Sequence, residues 1–136
     1  MKAVLDASVL AAAVVDTGPD GTWSEAAIAA GGLAGPELVL VETVNILRRM
    51  ELTGRVSPTE ASLLQARIMG LDLQLFPFAP FAERVWALRH NLTCYDAWYV
   101  AIAEAIGCPL VTLDRRLSLA PGPTCRIVVP DGDGLT

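Results

Sequence analysis

The stretch Lys2-Ala3-Val4-Leu5-Asp6-Ala7-Ser8-Val9-Leu10 decides how we interpret the rest of the chain. A short, mostly apolar run from Lys2 to Leu5 ends at a carboxylate, and a turn of small residues then leads into a second apolar run. We interpret the first run as a buried strand and Val9 to Val15 as the start of a helix. Asp6 then lies just past the carboxyl end of the strand, the edge at which open parallel α/β sheets bind ligands.

Segments of helix and strand type alternate along the rest of the chain. We predict helices at 22–30, 38–50, 58–69, 81–90 and 93–106, and strands at 71–76, 109–113 and 126–129. The β-branched start of the segment at 38–50 could instead continue a short strand near 33–38. This order predicts a mostly parallel sheet that is covered on both faces. No repeat or linker divides the chain, so we expect one domain over residues 1–136, with a frayed tail at about 131–136.

Two of the predicted helices carry a specific start signal. Ser57 and Glu60 have the spacing of a capping box, in which each side chain bonds to the backbone amide of the other residue. Thr22 and Glu25 have the same spacing and predict a second capping box. The Gly- and Asp-rich segment at 16–21 has the composition of a loop and separates this helix from the first one.

Composition limits the classes of protein that the chain can form. Of its 136 residues, 53% are hydrophobic and 18% are charged, which favours a large buried core over a disordered chain. The formal net charge is −5 and the pI is about 4.7, which argues against a protein that coats nucleic acid through bulk charge. An enzyme that gathers its acids around metal ions on a nucleic acid is compatible with this charge.

The cysteines and the apolar segments bear on the compartment. Cys94, Cys108 and Cys125 are dispersed and lack a C-x-x-C spacing, so we expect neither a zinc site nor a disulfide framework. Reduced thiols would suit a cytoplasmic protein. No uncharged apolar stretch reaches about 18 residues, so we expect no membrane span. Asp6 interrupts the apolar N-terminus, which argues against a signal peptide.

Four acids stand at positions where chemistry is expected: Asp6, Glu42, Asp96 and Asp114. Each also has an ordinary structural explanation. Asp6 could cap a helix, Asp96 could be the acidic member of a capping box that begins at Thr93, and Asp114 could form a turn. Glu42 lies in an apolar run, where a carboxylate is costly unless it is exposed, bound to a cation or paired with the arginines that follow at 48 and 49.

The predicted positions of these acids are more informative together than singly. Asp6 and Asp114 both follow strands, and Asp96 lies in the first turn of a helix that enters from the same edge. Two unit charges ~4 Å apart repel by about 4 kcal/mol at an effective dielectric near 20. A divalent cation removes this repulsion, and oxygen ligands favour Mg²⁺ or Mn²⁺. Phosphodiester hydrolysis is the chemistry that needs such a cluster.

His90 is interpreted as a solvated or capping side chain.

Four segments around these acids resemble the PIN-domain ribonucleases, in particular the VapC toxins of bacterial toxin–antitoxin pairs. The order and spacing of the segments match the family over nearly the whole chain. The segments are Leu5-Asp6-x-Ser8-Val9-Leu10, Glu42 followed by Asn45-x-Leu47-Arg48-Arg49, Tyr95-Asp96-Ala97-x-Tyr99-Val100-Ala101-x-Ala103, and Val111-Thr112-Leu113-Asp114-Arg115-Arg116-Leu117.

The resemblance implies a three-layer α/β/α domain with a central, mostly parallel sheet. It implies a Mg²⁺- or Mn²⁺-dependent endoribonuclease that forms a homodimer and is inhibited by a cognate antitoxin. It also implies roles for particular residues. The metal ligands would be Asp6, Glu42, Asp96 and Asp114.

The same match assigns supporting roles by position. Ser8 and Thr112 would be hydroxyls that orient water or the carboxylates. Arg115 and Arg116 are candidates for contact with RNA phosphates, the alternative being a solvated turn.

Other functions are compatible with parts of the pattern. A catalytically silent module with the same fold is the main alternative. A phosphatase with an aspartyl nucleophile would need a second Asp where Ser8 stands and a lysine downstream, and the only lysine is Lys2. A DNA nuclease of related architecture would need insertions that the chain lacks. We interpret four aromatic residues as core or dimer-interface residues: Trp23, Trp86, Trp98 and Tyr99.

Overall fold

The computed structural model describes residues 2–131 and contains a five-stranded, fully parallel sheet. The tail expected at 131–136 thus lies outside the described residues except for Asp131. The strands are β1 (Ala3–Leu5), β2 (Leu33–Pro36), β3 (Leu73–Phe76), β4 (Leu110–Val111) and β5 (Ile127–Val128), in the order β3-β2-β1-β4-β5. The helices are α1 (Ala7–Val15), α2 (Pro19–Ala29), α3 (Leu38–Leu52), α4 (Pro58–Met69), α5 (Ala82–Ala87) and α6 (Cys94–Ile106).

Both faces of the central strand are covered. Val4 and Leu5 are consecutive residues of β1, so their side chains point to opposite faces, and both are fully buried. Helix α1 contacts α2, α3 and α4, and α3 contacts α4, while α6 packs against β1, β2 and β4 with α5 beside it. The predicted three-layer α/β/α fold and its parallel sheet are therefore confirmed, and the short strand considered near 33–38 is β2.

Two helices begin where their cap residues predict. Ser57 accepts a hydrogen bond from the Glu60 amide, and the Glu60 carboxylate accepts one from the Ser57 amide, which completes the capping box of α4. Thr93 caps α6 through the Asp96 amide. Gly107 ends α6 with a φ of 68°, the left-handed conformation in which glycine is favoured.

The predicted start of the second helix is wrong. α2 begins at Pro19, three residues before Thr22, and the Thr22 hydroxyl donates within the helix to the Gly18 carbonyl at 3.3 Å. Pro19 at the first helical position, followed by an acid, outweighed the loop composition of this segment. Gly21 allows the helix to lie against the end of α1, because a Cβ atom at this position would be 1.8 Å from the Asp16 carbonyl oxygen.

Other elements are shorter than predicted. Strand β3 begins at Leu73, and the helix predicted at 81–90 is the six-residue α5, which a 3₁₀ turn at Ala79–Phe81 precedes. Trp86 is 63% exposed and therefore lies outside the core, with the Arg89 guanidinium 4.4 Å from its ring centre.

Among residues 2–131, no helix combines the length and the apolar composition that crossing a membrane requires.

Candidate active site

Asp6 lies where β1 passes directly into α1. Its amide donates to the Val111 carbonyl of β4 at 3.3 Å, which fixes the residue at the carboxyl edge of both strands. Its extended backbone makes it the N-cap of α1, and its Oδ1 accepts from the Val9 amide at 3.3 Å. Asp6 therefore does cap α1, as considered from the sequence. Its Oδ2 faces the residue that follows β4, Thr112.

Two hydroxyls bind the Asp6 carboxylate from either side. Ser8 Oγ donates to Oδ1 at 2.5 Å and accepts from the Leu113 amide at 3.3 Å. The fully buried Thr112 donates to Oδ2 and accepts from the Asp114 amide at 3.0 Å. Ser8 and Thr112 therefore both contact Asp6, and they join it to the turn that carries Asp114.

Glu42 reaches the same region from the second turn of α3. Its Oε1 accepts a hydrogen bond from the Tyr99 hydroxyl at 2.7 Å. Within residues 2–131, Glu42 forms no ion pair with Arg48 or Arg49, which was one explanation considered for this acid. Tyr99 is only 3% exposed, so a buried phenol on α6 holds the orientation of an acid on α3.

Tyr99 is the site residue that the sequence analysis missed. We interpreted it as a core or interface aromatic, and it is indeed buried. The available signal was its spacing, because residues three apart on a helix lie on the same face and Tyr99 is three residues after Asp96. A buried tyrosine hydroxyl also needs a hydrogen-bond partner, and Glu42 supplies it.

Asp96 lies in the first turn of α6 and lines a cleft. Its amide bonds to Thr93 Oγ1 at 3.1 Å, while the reciprocal bond of a capping box is not found among the described residues. The cleft has a volume of about 260 Å³, and its lining includes Asp6, Glu42, Asp96 and Tyr99. Three of the four predicted acids, from three separate elements, are thus brought to one cleft.

Asp114 lies beside the cleft rather than in its lining. Its Oδ1 accepts from the Arg116 amide at 3.0 Å and from Arg116 Nε at 3.3 Å, so an ion pair within one turn occupies it. The Arg116 side chain is 92% exposed.

Arg115 is exposed and donates to the Asp131 carbonyl at 3.5 Å. His90 is exposed, in keeping with a solvated side chain.

The acids of the site differ in how easily they ionise. Burial raises the pKa of Asp6, although the hydrogen bonds from Ser8 and Thr112 oppose this effect. Burial also raises the pKa of Asp96, and the negative charge of Asp114 adds to it. The pKa of Asp114 is lowered, chiefly by its hydrogen bond to Arg116. Among the described residues neither Asp6 nor Asp96 forms an ion pair, although the charge of Arg116 opposes the rise in the pKa of Asp96.

The donor chemistry of the cleft fits a hard divalent cation. The side-chain oxygens that line it belong to three carboxylates, the Asn45 amide and the Ser8 and Tyr99 hydroxyls, and oxygen is the ligand type that Mg²⁺ and Mn²⁺ prefer. Within residues 2–131, no three acidic, histidine or cysteine side chains are close enough together to bind one ion as they stand. Ligation by three of the acids thus requires some of these side chains to rotate.

Comparison with known proteins finds relatives over most of the chain. A family model described as PIN domain matches residues 3–122. The VapC ribonuclease Mb0985 of Mycobacterium bovis is 37% identical over 126 residues, which are 93% of this chain and 96% of that protein. Ribonuclease VapC1 of Mycobacterium tuberculosis is 41% identical over 93 residues, 68% of this chain and 70% of that protein. The solved structure of PAE2754 from Pyrobaculum aerophilum is similar with a TM-score of 0.66 at 28% identity, over 88% of this chain and 84% of that one.

Proposed function

Because the chain belongs to the PIN domain family, in its VapC group, we propose that it is a metal-dependent endoribonuclease toxin that cleaves RNA phosphodiester bonds. One observation carries this proposal. Asp6, Glu42 and Asp96 come from three different elements and line a single cleft at the carboxyl edge of the sheet. Relatives that are named as ribonucleases support RNA as the substrate class.

Asp6, Glu42, Asp96 and Asp114 are the residues that would hold Mg²⁺ or Mn²⁺. When bound, such an ion would supply activation of water and stabilisation of the attacking and leaving oxygens. Asp6 would be the fixed ligand, because hydroxyls on both sides leave it little freedom to rotate. Asp114 would have to release Arg116 before it could contribute.

The remaining residues of the site position these acids. Ser8 and Thr112 hold Asp6 and favour its ionised form, because both hydroxyls donate to it. Tyr99 donates to Glu42 and keeps one of its oxygens directed towards α6. Asp96 is placed by the cap of α6, since Thr93 fixes the first turn of that helix.

The proposal extends to the partners that the family implies. We call the cleft that Asp6, Glu42 and Asp96 line the acid cleft. A cognate antitoxin would block the acid cleft, and the active form would be a homodimer. The substrate would be cellular RNA, which would place the protein in the cytoplasm.

A catalytically silent module is the second candidate, and one observation favours it. As the side chains stand, no three acids of the described residues are arranged around a common ion position, and Asp114 is engaged by Arg116. In this case the acid cleft would serve only to bind a protein partner.

Cleavage of total cellular RNA by the purified protein separates the two candidates. The nuclease predicts cutting with Mg²⁺ or Mn²⁺ and none in EDTA. Asp6→Asn and Asp96→Asn should each abolish cutting, whereas Asp72→Asn, a change at an exposed acid outside the site, should not. Cutting that survives both site substitutions would contradict the proposed site, and no cutting under any condition would favour the silent module. Growth arrest on expression, relieved by the adjacent reading frame, would test the antitoxin.

A further inference from the structure

The acid cleft opens into a second groove between α1 and α3. The groove has a volume of about 510 Å³ and shares Ser8, Ile46 and Arg49 with the cleft. It continues past Arg49 to Arg55, in the turn that follows α3. The two depressions therefore form one continuous path that leads away from the acids.

A single face of α3 runs along this path. Glu42, Asn45, Ile46 and Arg49 are spaced at i, i+3, i+4 and i+7, so they lie on one side of the helix. Seven residues of α-helix extend about 10 Å, so Arg49 is displaced by that distance along the helix from the acid at its start. A group bound at Arg49 would thus be a neighbour of the group bound at the acids.

The positive charge in this groove is available. Within residues 2–131, neither Arg49 nor Arg55 forms an ion pair, and both are exposed. Gly54, with a φ of 77°, turns the chain so that the Arg55 amide bonds to the Met50 carbonyl at 2.8 Å, which holds Arg55 beside the groove. One acid, Asp16, also lines the groove, and its Oδ1 already accepts from the Gly18 amide at 2.6 Å.

We propose that this groove, which we call the arginine groove and which is bounded by Arg49 and Arg55, binds the phosphates of single-stranded RNA next to the phosphate that is cleaved. The inference rests on the proposed function. Guanidinium groups match the geometry of phosphate, and the buried Ala11 and Ala12 line the groove with small side chains that let a strand approach closely. The arginine groove binds backbone rather than bases, so it sets affinity and the path of the strand.

Arg49 and Arg55 are further candidates for this role, beside Arg115 and Arg116, which were expected from the sequence. Arg116 is engaged by Asp114, while Arg49 and Arg55 have no such partner among the described residues and line a path that joins the acids. The local charge also explains how an acidic chain could attract RNA, because two cations flank the exit of the cleft.

Fluorescence anisotropy with a labelled single-stranded RNA tests the proposal. The RNA is about 20 nucleotides long and of mixed sequence, and EDTA prevents cleavage. The Arg49→Ala/Arg55→Ala protein is compared with Arg48→Ala/Arg67→Ala, which removes the same charge from exposed positions outside the groove. Circular dichroism of each protein confirms folding.

Loss of two phosphate contacts should reduce the magnitude of the slope of log K against log[salt] by about 1.4. It should also weaken binding about 25-fold at 0.1 M salt. The Arg48→Ala/Arg67→Ala protein should bind like the wild type. Equal weakening of both proteins, no weakening of the groove variant, or no binding by the wild type would each overturn the proposal. If the groove variant kept its RNA affinity but lost the cognate antitoxin, the groove would be a protein-binding site instead.

The proposed nuclease activity is judged separately. Hydrolysis of bis(p-nitrophenyl) phosphate by the wild type with Mn²⁺ reports on the acids without a polynucleotide. A wild type that cleaves neither this ester nor RNA refutes the nuclease. The arginine groove is judged only on the difference in binding between the two double variants.

Discussion

Asp6 and Glu104 are two carboxylates that the fold treats in opposite ways. Glu104, 13% exposed, accepts two hydrogen bonds from Arg84, at 2.7 and 3.1 Å, and a third from the Thr124 amide at 2.7 Å. Its pKa is lowered because these partners outweigh its burial. Asp6 accepts hydrogen bonds only from neutral groups, and burial raises its pKa.

The two regions differ in how the charge of the carboxylate is compensated. At Glu104 a cation of the chain compensates a carboxylate, and the resulting network joins α5, α6 and the segment before β5. At Asp6 the chain supplies hydroxyls that orient the carboxylate and no cation that neutralises it. A buried acid without a cation costs stability, so its presence suggests that a cation comes from solution. The following predictions test this contrast, from the largest expected effect to the smallest.

Asp6→Asn should separate activity from stability. RNA cleavage should fall by more than about 100-fold, because removing a metal ligand should reduce activity more than removing a group that only orients the ligand. The free energy of unfolding without metal should change by no more than about 1 kcal/mol, because a buried charge disappears along with one hydrogen bond while Asn keeps the helix cap. Urea unfolding and a cleavage assay measure the two quantities. A large loss of stability would mean that Asp6 is mainly structural.

Thr112→Val should weaken Mn²⁺ binding by up to about 100-fold. Thr112 is fully buried, so no water can replace its hydrogen bond to Asp6. The matched change Thr124→Val removes a threonine hydroxyl near Glu104 and should leave Mn²⁺ affinity unchanged. Calorimetric titration compares the two proteins, and equal affinities would argue against an orienting role for Thr112.

Tyr99→Phe should reduce Mn²⁺ affinity by about tenfold, at the low end for a supporting group. Glu42 is partly exposed, so water can take the place of the lost phenol. The ring keeps its packing, so the fold should be retained. The matched control Tyr95→Phe alters an exposed tyrosine on the same helix. An effect of similar size in both variants would show that Tyr99 does not act through Glu42.

Glu104→Gln should affect stability and leave cleavage unchanged. We expect a loss of about 1 kcal/mol near pH 7, because Arg84 is 39% exposed and solvent screens the pair. The pKa of Glu104 lies below its ordinary 4.5, so its stabilising effect is complete above pH 4.5 and is lost as pH falls through the lower folded value. The difference in unfolding free energy between wild type and variant should therefore shrink on acidification. A difference that is independent of pH would contradict this account.

The sequence alone predicted the features that depend on local chemistry. The caps at Ser57 and Thr93 and the placement of Asp6 at a strand end follow from short-range rules, and the structure contains them. The alternation of strands and helices was enough to predict a parallel sheet. The four acids were identified from their positions at the ends of predicted elements, and three of them line one cleft.

Features that depend on tertiary contacts could not be predicted. The Tyr99–Glu42 hydrogen bond joins residues 57 positions apart, and no local pattern encodes it. The pairing of Asp114 with Arg116 is a local contact, but it depends on side-chain orientation within one turn, which the residue types do not determine. The early start of α2 had a local signal in Pro19 and Asp20, but the Gly- and Asp-rich composition of the segment indicated a loop; Gly21 also allows the close approach to Asp16.

Calorimetric titration of the metal-free protein with Mn²⁺ tests the central claim, that the acid cleft is completed by a cation. We predict that the wild type and Glu104→Gln bind Mn²⁺ with the same affinity and that Asp6→Asn loses binding. Binding at 100 times the dissociation constant should also stabilise the wild type by about 2.7 kcal/mol. No binding by the wild type, or equal binding by Asp6→Asn, would contradict the claim.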